Sequence, residues 1–281
     1  MTRGVRPILI LAAAVRVALL LAAWGEPGRL LTPDSHEYAA LARSLGNGEG
    51  FTADGQPEIF RTPGYPMLLL IGTVFQAARL QAVAVVQVLA DVLLVYLTYL
   101  LAMLTVADRR AALAAAGWQA VCVVAVVSSV RILSDGTYAC LLTLALCLVA
   151  AHLRTGRWWA LLSGAGVTAA ACYVRPVGLS MAVVMAAVLL TRRRRWRRTA
   201  AFAGVVAALL SPWVVRNWTE ARYAGFSSFA TDSMYYFAVP ALRAERALQD
   251  PAAARDLQRR RGARHAATQP TPGDAAEWRA R

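Results

Sequence analysis

The chain has 281 residues, 58% of them hydrophobic, with a mean hydropathy of +0.46, and several apolar runs approach the roughly 20 residues that cross a bilayer as helix; this excludes an ordinary soluble domain. All 30 basic residues are arginine, and the net charge of +14 is concentrated between apolar runs, which fits orientation in a membrane and argues against nucleic acid as a partner. Cys122, Cys140, Cys147 and Cys172 all lie in apolar runs without a CxxC pair, so no disulfide framework is expected.

The chain starts "MTRGVRPILILAAAVRVALLLAAW". Its apolar stretch is long for a signal peptide and is interrupted by Arg16, so it reads as an uncleaved first span. Further spans are expected at about 81–106, 111–130, 137–153, 158–174, 176–191 and 199–215, making about seven transmembrane helices in an all-α polytopic membrane protein. Arg3 and Arg6, Asp108 to Arg110, Arg154 to Arg157 and Arg192 to Arg198 then fall on one side, which is cytoplasmic by the positive-inside rule. The N-terminus is expected there, in a plasma membrane. The other side receives the loop 25–66, with six acidic residues and three arginines. The apolar stretch 66–80 is short for a span and reads as a helix along the outer leaflet. Residues 1–225 form the membrane module. Residues 226–281 read as an extracytoplasmic tail with two short amphipathic helices and a disordered end.

The chemistry gathers outside. "TPDSHEYAALARSL" follows the first span at once. Asp34 can cap a helix with Glu37 completing a capping box, and Thr32 followed by Pro33 is an equally good start. A carboxylate fixed at such a place can also act as a base. "RTPGYP" then puts Arg61 at the same membrane face, where a planar guanidinium can hold a phosphate or simply snorkel. Arg131, Arg175 and Arg216 are expected to emerge there too, with Asp135. Each has a plainer reading as a cap or interfacial residue, but together they suggest a site for an anionic, lipid-borne substrate. Asp91 and Gln87, inside the second span, read as interhelical hydrogen-bonding groups. His36 between Asp34 and Glu37 is weak spacing for a metal, so the expectation is no metal, with a divalent ion as the lesser alternative.

"PDSHEYAALARSLGNGEGF" followed by "RTPGYPMLLL", then "LSDGTYACLLTLALCL", "GAGVTAAACYVRPVGL" and "SPWVVRNW", resembles the GT-C membrane glycosyltransferases over about residues 5 to 235. The nearest branch contains the protein O-mannosyltransferases and the lipid A aminoarabinose transferase. The resemblance implies a transferase that takes a sugar from a polyprenyl-phosphate carrier at the extracytoplasmic face and passes it, with inversion, to a hydroxyl of a protein or glycolipid. It implies that Asp34, with Glu37 and Asp135, serves as the acidic catalytic set, that Arg61, Tyr65, Arg175 and Arg216 hold the donor phosphate, and that no cofactor is needed. Family members usually continue with more spans and often a soluble domain, so the family's C-terminal region is expected to be missing and a partner subunit to supply it. Two other readings stay open: a non-catalytic lipid-phosphate-binding partner of such an enzyme, and a lipid or small-molecule transporter. The transporter is disfavoured because ionisable residues sit at the outer rim rather than mid-membrane.

Overall fold

The computed structural model describes residues 4–74, 79–191 and 196–229, together with 231 and 239; the side chains of 73 and 74 are not described. Residues up to Ser227 form one compact unit. The expected helices of the tail lie outside the described residues, as does much of the arginine run after Thr191.

The described unit is helical apart from one small hairpin. Helix α1 covers Arg6–Ala23 and has Pro7 in its first turn, where a fixed φ fits. A 3-10 turn at Pro27–Leu30 leads to α2, Pro33–Gly46. Strands β1 (Thr52–Ala53) and β2 (Gln56–Pro57) pair antiparallel. The outer-leaflet stretch is broken into α3, Gly64–Leu69, and α4, Ile71–Val74. Then follow α5 (Arg79–Thr105), α6 (Arg109–Val121), α7 (Val123–Val130), α8 (Ser134–Thr155), α9 (Trp158–Val174), α10 (Gly178–Leu190) and α11 (Trp196–Ala221).

Each of the seven expected spans therefore has helix at its place. Four helices, α1, α5, α8 and α11, are long and apolar enough to cross a membrane. A fifth crossing results if α6 and α7, bent by 52° at Cys122, form one broken span. Helices α9 and α10 are apolar but shorter.

Helix α5 is the centre. Its 27 residues make roughly 40 Å of helix. Helices α1, α6 and α8 pack on it, and α9 packs on α8 and α11. The contact stripes follow helical spacing: Ala12, Arg16, Leu20 and Ala23 are the buried face of α1, while Ile10 and Leu21 point outward. Small residues let α9 approach closely. A Cβ on Gly164 would meet Val149 and Leu148 of α8 at 3.3 and 3.4 Å. Large apolar side chains left outside, such as Val123, Val124, Val183 and Leu190, face away from the bundle, as hydrocarbon-facing residues do.

Two irregularities are satisfied by side chains. Pro212, inside α11, has no N–H to give the carbonyl of Ala208, and the Ser211 hydroxyl donates to it instead at 2.9 Å. At Cys122 the helix breaks, and the carbonyls of Gln119 and Ala120 accept from the buried Arg16 guanidinium at 3.2 and 2.8 Å. Arg16 is also ion-paired with Asp91 of α5. Asp91 thus bridges helices, as its position suggested, but through a charge on the first span.

The helices run so that α8 carries Asp135 in its first turn and Arg154 in its last, while α9 begins just after Arg157 and is followed by Arg175. The acidic and arginine-bearing ends of interest gather at one end of the bundle. At the other end, Arg198 lies over the Trp158 ring at 5.7 Å.

Candidate active site

The start of α2 decides what its carboxylates do. Thr32, in extended conformation, is the N-cap. Its backbone N–H donates to the Ser35 hydroxyl at 2.8 Å, and the reciprocal bond is present, so Thr32 and Ser35 form the capping box. The expected Asp34–Glu37 box does not form. Pro33 fixes the start two residues earlier, and the third helical position falls on Ser35. Asp34 and Glu37 are thereby freed from capping, with side chains 53% and 59% exposed.

Both turn to Arg61. Its Nη2 is 2.7 Å from Glu37 Oε2 and 3.4 Å from Asp34 Oδ1, its Nε donates to Glu37 Oε2 at 3.0 Å, and its Nη1 donates to the Tyr38 hydroxyl at 3.1 Å. The guanidinium also lies 4.8 Å from the Tyr38 ring centre and 5.2 Å from that of Phe60. Burial alone lowers its pKa, but Tyr38, Glu37 and Asp34 together raise it by more, and it ends above its ordinary value. It is a permanent cation.

Tyr38 extends the cluster toward α8. Its hydroxyl is 3.1 Å from Ser134 Oγ, and the Ser35 hydroxyl donates to the Ile132 carbonyl at 2.7 Å. One residue past Ser134, Asp135 is ion-paired with Arg175. Arg175 is held beside the first cluster by Gly64. A Cβ there would come within 2.6 Å of the Tyr173 carbonyl, so only glycine lets the first turn of α3 rest on the last turn of α9. The "RTPGYP" and "YVRP" pieces therefore meet.

The other two expected phosphate-binding residues sit elsewhere. Tyr65 is fully buried beneath Tyr38, and its hydroxyl donates to Gln87 Oε1 at 2.9 Å. Burial, then Tyr38 and Asp135, push its phenol well above the ordinary value, so it remains a donor. Gln87 in turn donates to the Arg131 carbonyl at 2.6 Å, tying α5 to the loop before α8. Arg216 faces the hairpin rather than Arg61: it donates to the Phe51 and Glu58 carbonyls and pairs with Glu220.

Tyr38 and Ser134 were not singled out as site residues, although Tyr38 lies four positions after Asp34, on one helix face, and Ser134 directly precedes Asp135. Two buried hydroxyls nearby in the sequence, Thr62 Oγ1 and Thr137 Oγ1, have no hydrogen-bond partner among the described residues.

A cleft of about 780 Å³ opens between α2 and the hairpin. Glu37 and Arg61 form one end of its lining, and Arg43, Asn47, Glu49 and Asp54 continue it. Its lining mixes these charged groups with apolar surface from Ala40, Leu41 and Phe60. Among the described residues, no three His, Cys, Asp or Glu side chains converge as a metal-ligand group.

An all-α membrane protein with paired carboxylates and arginines at one end of its bundle has the chemical outline of a membrane glycosyltransferase. The family of dolichyl-phosphate-mannose-protein mannosyltransferases matches residues 61–218, more than half of the chain, and the chain belongs to it. This is a GT-C glycosyltransferase family of the membrane mannosyltransferase type, and it implies a lipid-linked sugar donor. The match includes Arg61, Asp135, Arg175 and Arg216 but begins after Asp34 and Glu37. No curated protein and no solved structure matches the chain.

Proposed function

We propose that the chain transfers a sugar from a polyprenyl-phosphate carrier to an acceptor hydroxyl at the extracytoplasmic membrane face, by a single inverting displacement. One observation carries the reading. The charged groups of α2, the Arg61 turn, α8 and the end of α9 are joined, through Tyr38 and Ser134, into one continuous patch at the end of an apolar bundle. A donor lying in the bilayer would present its phosphate there.

In this reading Asp34 takes the proton of the acceptor hydroxyl. The acceptor oxygen bonds to the anomeric carbon as the bond from that carbon to the phosphate oxygen breaks. The departing phosphate gains charge, and Arg175 and Arg61 stabilise it. Glu37 and Asp135 hold those two arginines in place before the donor arrives. The acceptor, a protein or glycolipid hydroxyl, approaches through the cleft between α2 and the hairpin. No cofactor is required, because the phosphate carrier already activates the sugar. The arginine-rich turns lie at the far end of the bundle, which supports a cytoplasmic N-terminus and an outward-facing site.

The test is transfer of radiolabelled sugar from a panel of polyprenyl-phosphate sugars by the purified chain in lipid, beside Asp34→Asn. Transfer by the wild type that falls by about 100-fold or more in the variant is expected for loss of a general base. Retained binding of polyprenyl phosphate with no transfer from any donor sinks the reading and favours a non-catalytic lipid-phosphate-binding partner.

A further inference from the structure

We propose that Arg216 is a positioning residue, a latch that fixes the first outer loop and through it Arg61, and that it does not itself meet the donor phosphate. The geometry stands by itself; its kinetic consequence rests on the glycosyltransfer reading above.

The Arg216 guanidinium is already used. Nη1 donates to the Glu58 carbonyl at 2.7 Å and to Asn217 Oδ1 at 3.2 Å, Nη2 donates to the Phe51 carbonyl at 2.6 Å, and Nε is 2.6 Å from Glu220 Oε2. Its planar face lies 4.9 Å from the Trp213 ring centre, and its side chain is only 14% exposed. Two of these acceptors are backbone carbonyls of the hairpin, which a phosphate could displace only by undoing the loop, whereas Arg61 is held by exposed carboxylates at the open face.

The acceptors it has chosen are informative. Phe51 and Glu58 are the two residues that close the base of the hairpin, with the Glu58 N–H donating to the Phe51 carbonyl at 3.0 Å. The strands between them are two residues each, and so short a hairpin does not hold itself in water. Arg216 supplies the missing hold from the end of α11, and Phe51 packs edge-on against Trp213 at 5.2 Å.

From there the restraint passes to the site. The Glu58 carboxylate accepts from the backbone N–H groups of Phe60 and Arg61. The neighbouring Asn217 acts in parallel. It donates to the Gly225 and Phe226 carbonyls at 2.9 and 3.1 Å, turning the chain back so that the Ser227 hydroxyl donates to the Phe60 carbonyl at 2.7 Å. Residues 58 to 61 are thus held from two directions by one dipeptide at the end of α11. A small shift there would move Arg61 away from Asp34, Glu37 and Tyr38, and would open one wall of the cleft.

The experiment is amide hydrogen exchange on the full chain in lipid nanodiscs without substrate, for wild type, Arg216→Ala and Arg216→Lys, followed by transfer kinetics. Exchange over residues 52–61 should be at least about tenfold faster in Arg216→Ala and intermediate in Arg216→Lys, because an ammonium cannot span both carbonyls as the planar fork does. Unchanged exchange over that segment overturns the latch. In kinetics, kcat should fall about tenfold with the donor KM within about twofold. A donor KM raised about tenfold at constant kcat would mean direct phosphate contact, and would also overturn it. If Arg216→Ala does not fold, Arg216→Lys decides by the same two criteria. If even the wild type transfers nothing, the glycosyltransfer reading fails, while the exchange result still decides the latch.

Discussion

Arg16 on α1 and Asp91 on α5 form a buried ion pair, and the same guanidinium closes the broken end of α6 by donating to the carbonyls of Gln119 and Ala120. Both partners are almost wholly withdrawn from solvent. Removing one leaves an unpaired charge in a low-dielectric interior, which costs about 3–5 kcal/mol. Asp91→Ala and Arg16→Ala should each therefore lower the melting temperature of the detergent-solubilised protein markedly. The double variant Arg16→Met with Asp91→Leu should not recover wild-type stability, since the two α6 carbonyls stay uncapped. Full recovery would mean that the pair alone, and not the helix break, is what Arg16 serves.

Arg61→Lys keeps the charge but loses the fork that reaches Glu37, Asp34 and Tyr38 together. Transfer should fall by roughly 10- to 100-fold, on the order of 1.4–2.7 kcal/mol of transition-state stabilisation. The pH behaviour should leave Arg61 silent. Its folded pKa is raised, so the stability it contributes is fully present below its unfolded pKa and is lost only as pH rises through the still higher folded value. A pH–rate profile from about pH 5 to 9 should show no alkaline limb that Arg61→Lys removes or shifts. An alkaline limb that moves in that variant would contradict the assignment.

Gly64→Ala places a methyl group against the Tyr173 carbonyl, a backbone atom that cannot yield. It should lower both the folded yield and the activity. Gly166→Ala in the same bundle meets nothing within 4 Å and sits in a helix, so it should be neutral or stabilising by up to about 1 kcal/mol. Equal damage from the two, measured by size-exclusion profile and melting temperature, would show that the α3–α9 approach is not the constraint.

Tyr38→Phe removes the hydroxyl that accepts from Arg61 and meets Ser134. A hydrogen bond to a charged group contributes about 1.5–3 kcal/mol, so a loss of roughly tenfold or more in kcat/KM is expected. Ser134→Ala should do less, because Arg61 keeps its own partner. A larger effect from Ser134→Ala would shift attention to the Asp135–Arg175 side.

Much of this architecture was legible in the sequence. The apolar runs gave helix at each of seven places, because hydrocarbon demands internally satisfied backbone and only helix meets that demand locally. Span count was less legible, because α9 and α10 are short and the run breaks at Cys122, with no proline in it and its one glycine, Gly117, a full turn earlier inside α6. Arg61, Asp34 and Glu37 come together as a cluster that motif order anticipated. Of the two helix starts open in the sequence, Thr32 with Pro33 is the one taken and Asp34 with Glu37 is not, because Thr32, Ser35, Asp34 and Glu37 all have capping side chains and only the backbone of Pro33 selects the frame. The Gln87 partner of Tyr65, the Asp91 partner of Arg16 and the Phe51 and Glu58 partners of Arg216 could not be read, since each lies in a different helix or loop.

The Arg16 contacts also bear on how the chain is made. An arginine in the first span costs about 2.5–3.5 kcal/mol at insertion while it has no partner. Its counter-charge lies 75 residues downstream and the carbonyl of Ala120 lies 104 residues downstream. During synthesis the first helix must wait, bearing an uncompensated cation, until α5 has been inserted and α6 has followed. The guanidinium thus ties those three segments into one mutually dependent unit. A ribosome stalled before residue 91 would hold a first span prone to slip out of the bilayer or to be captured by an insertion chaperone.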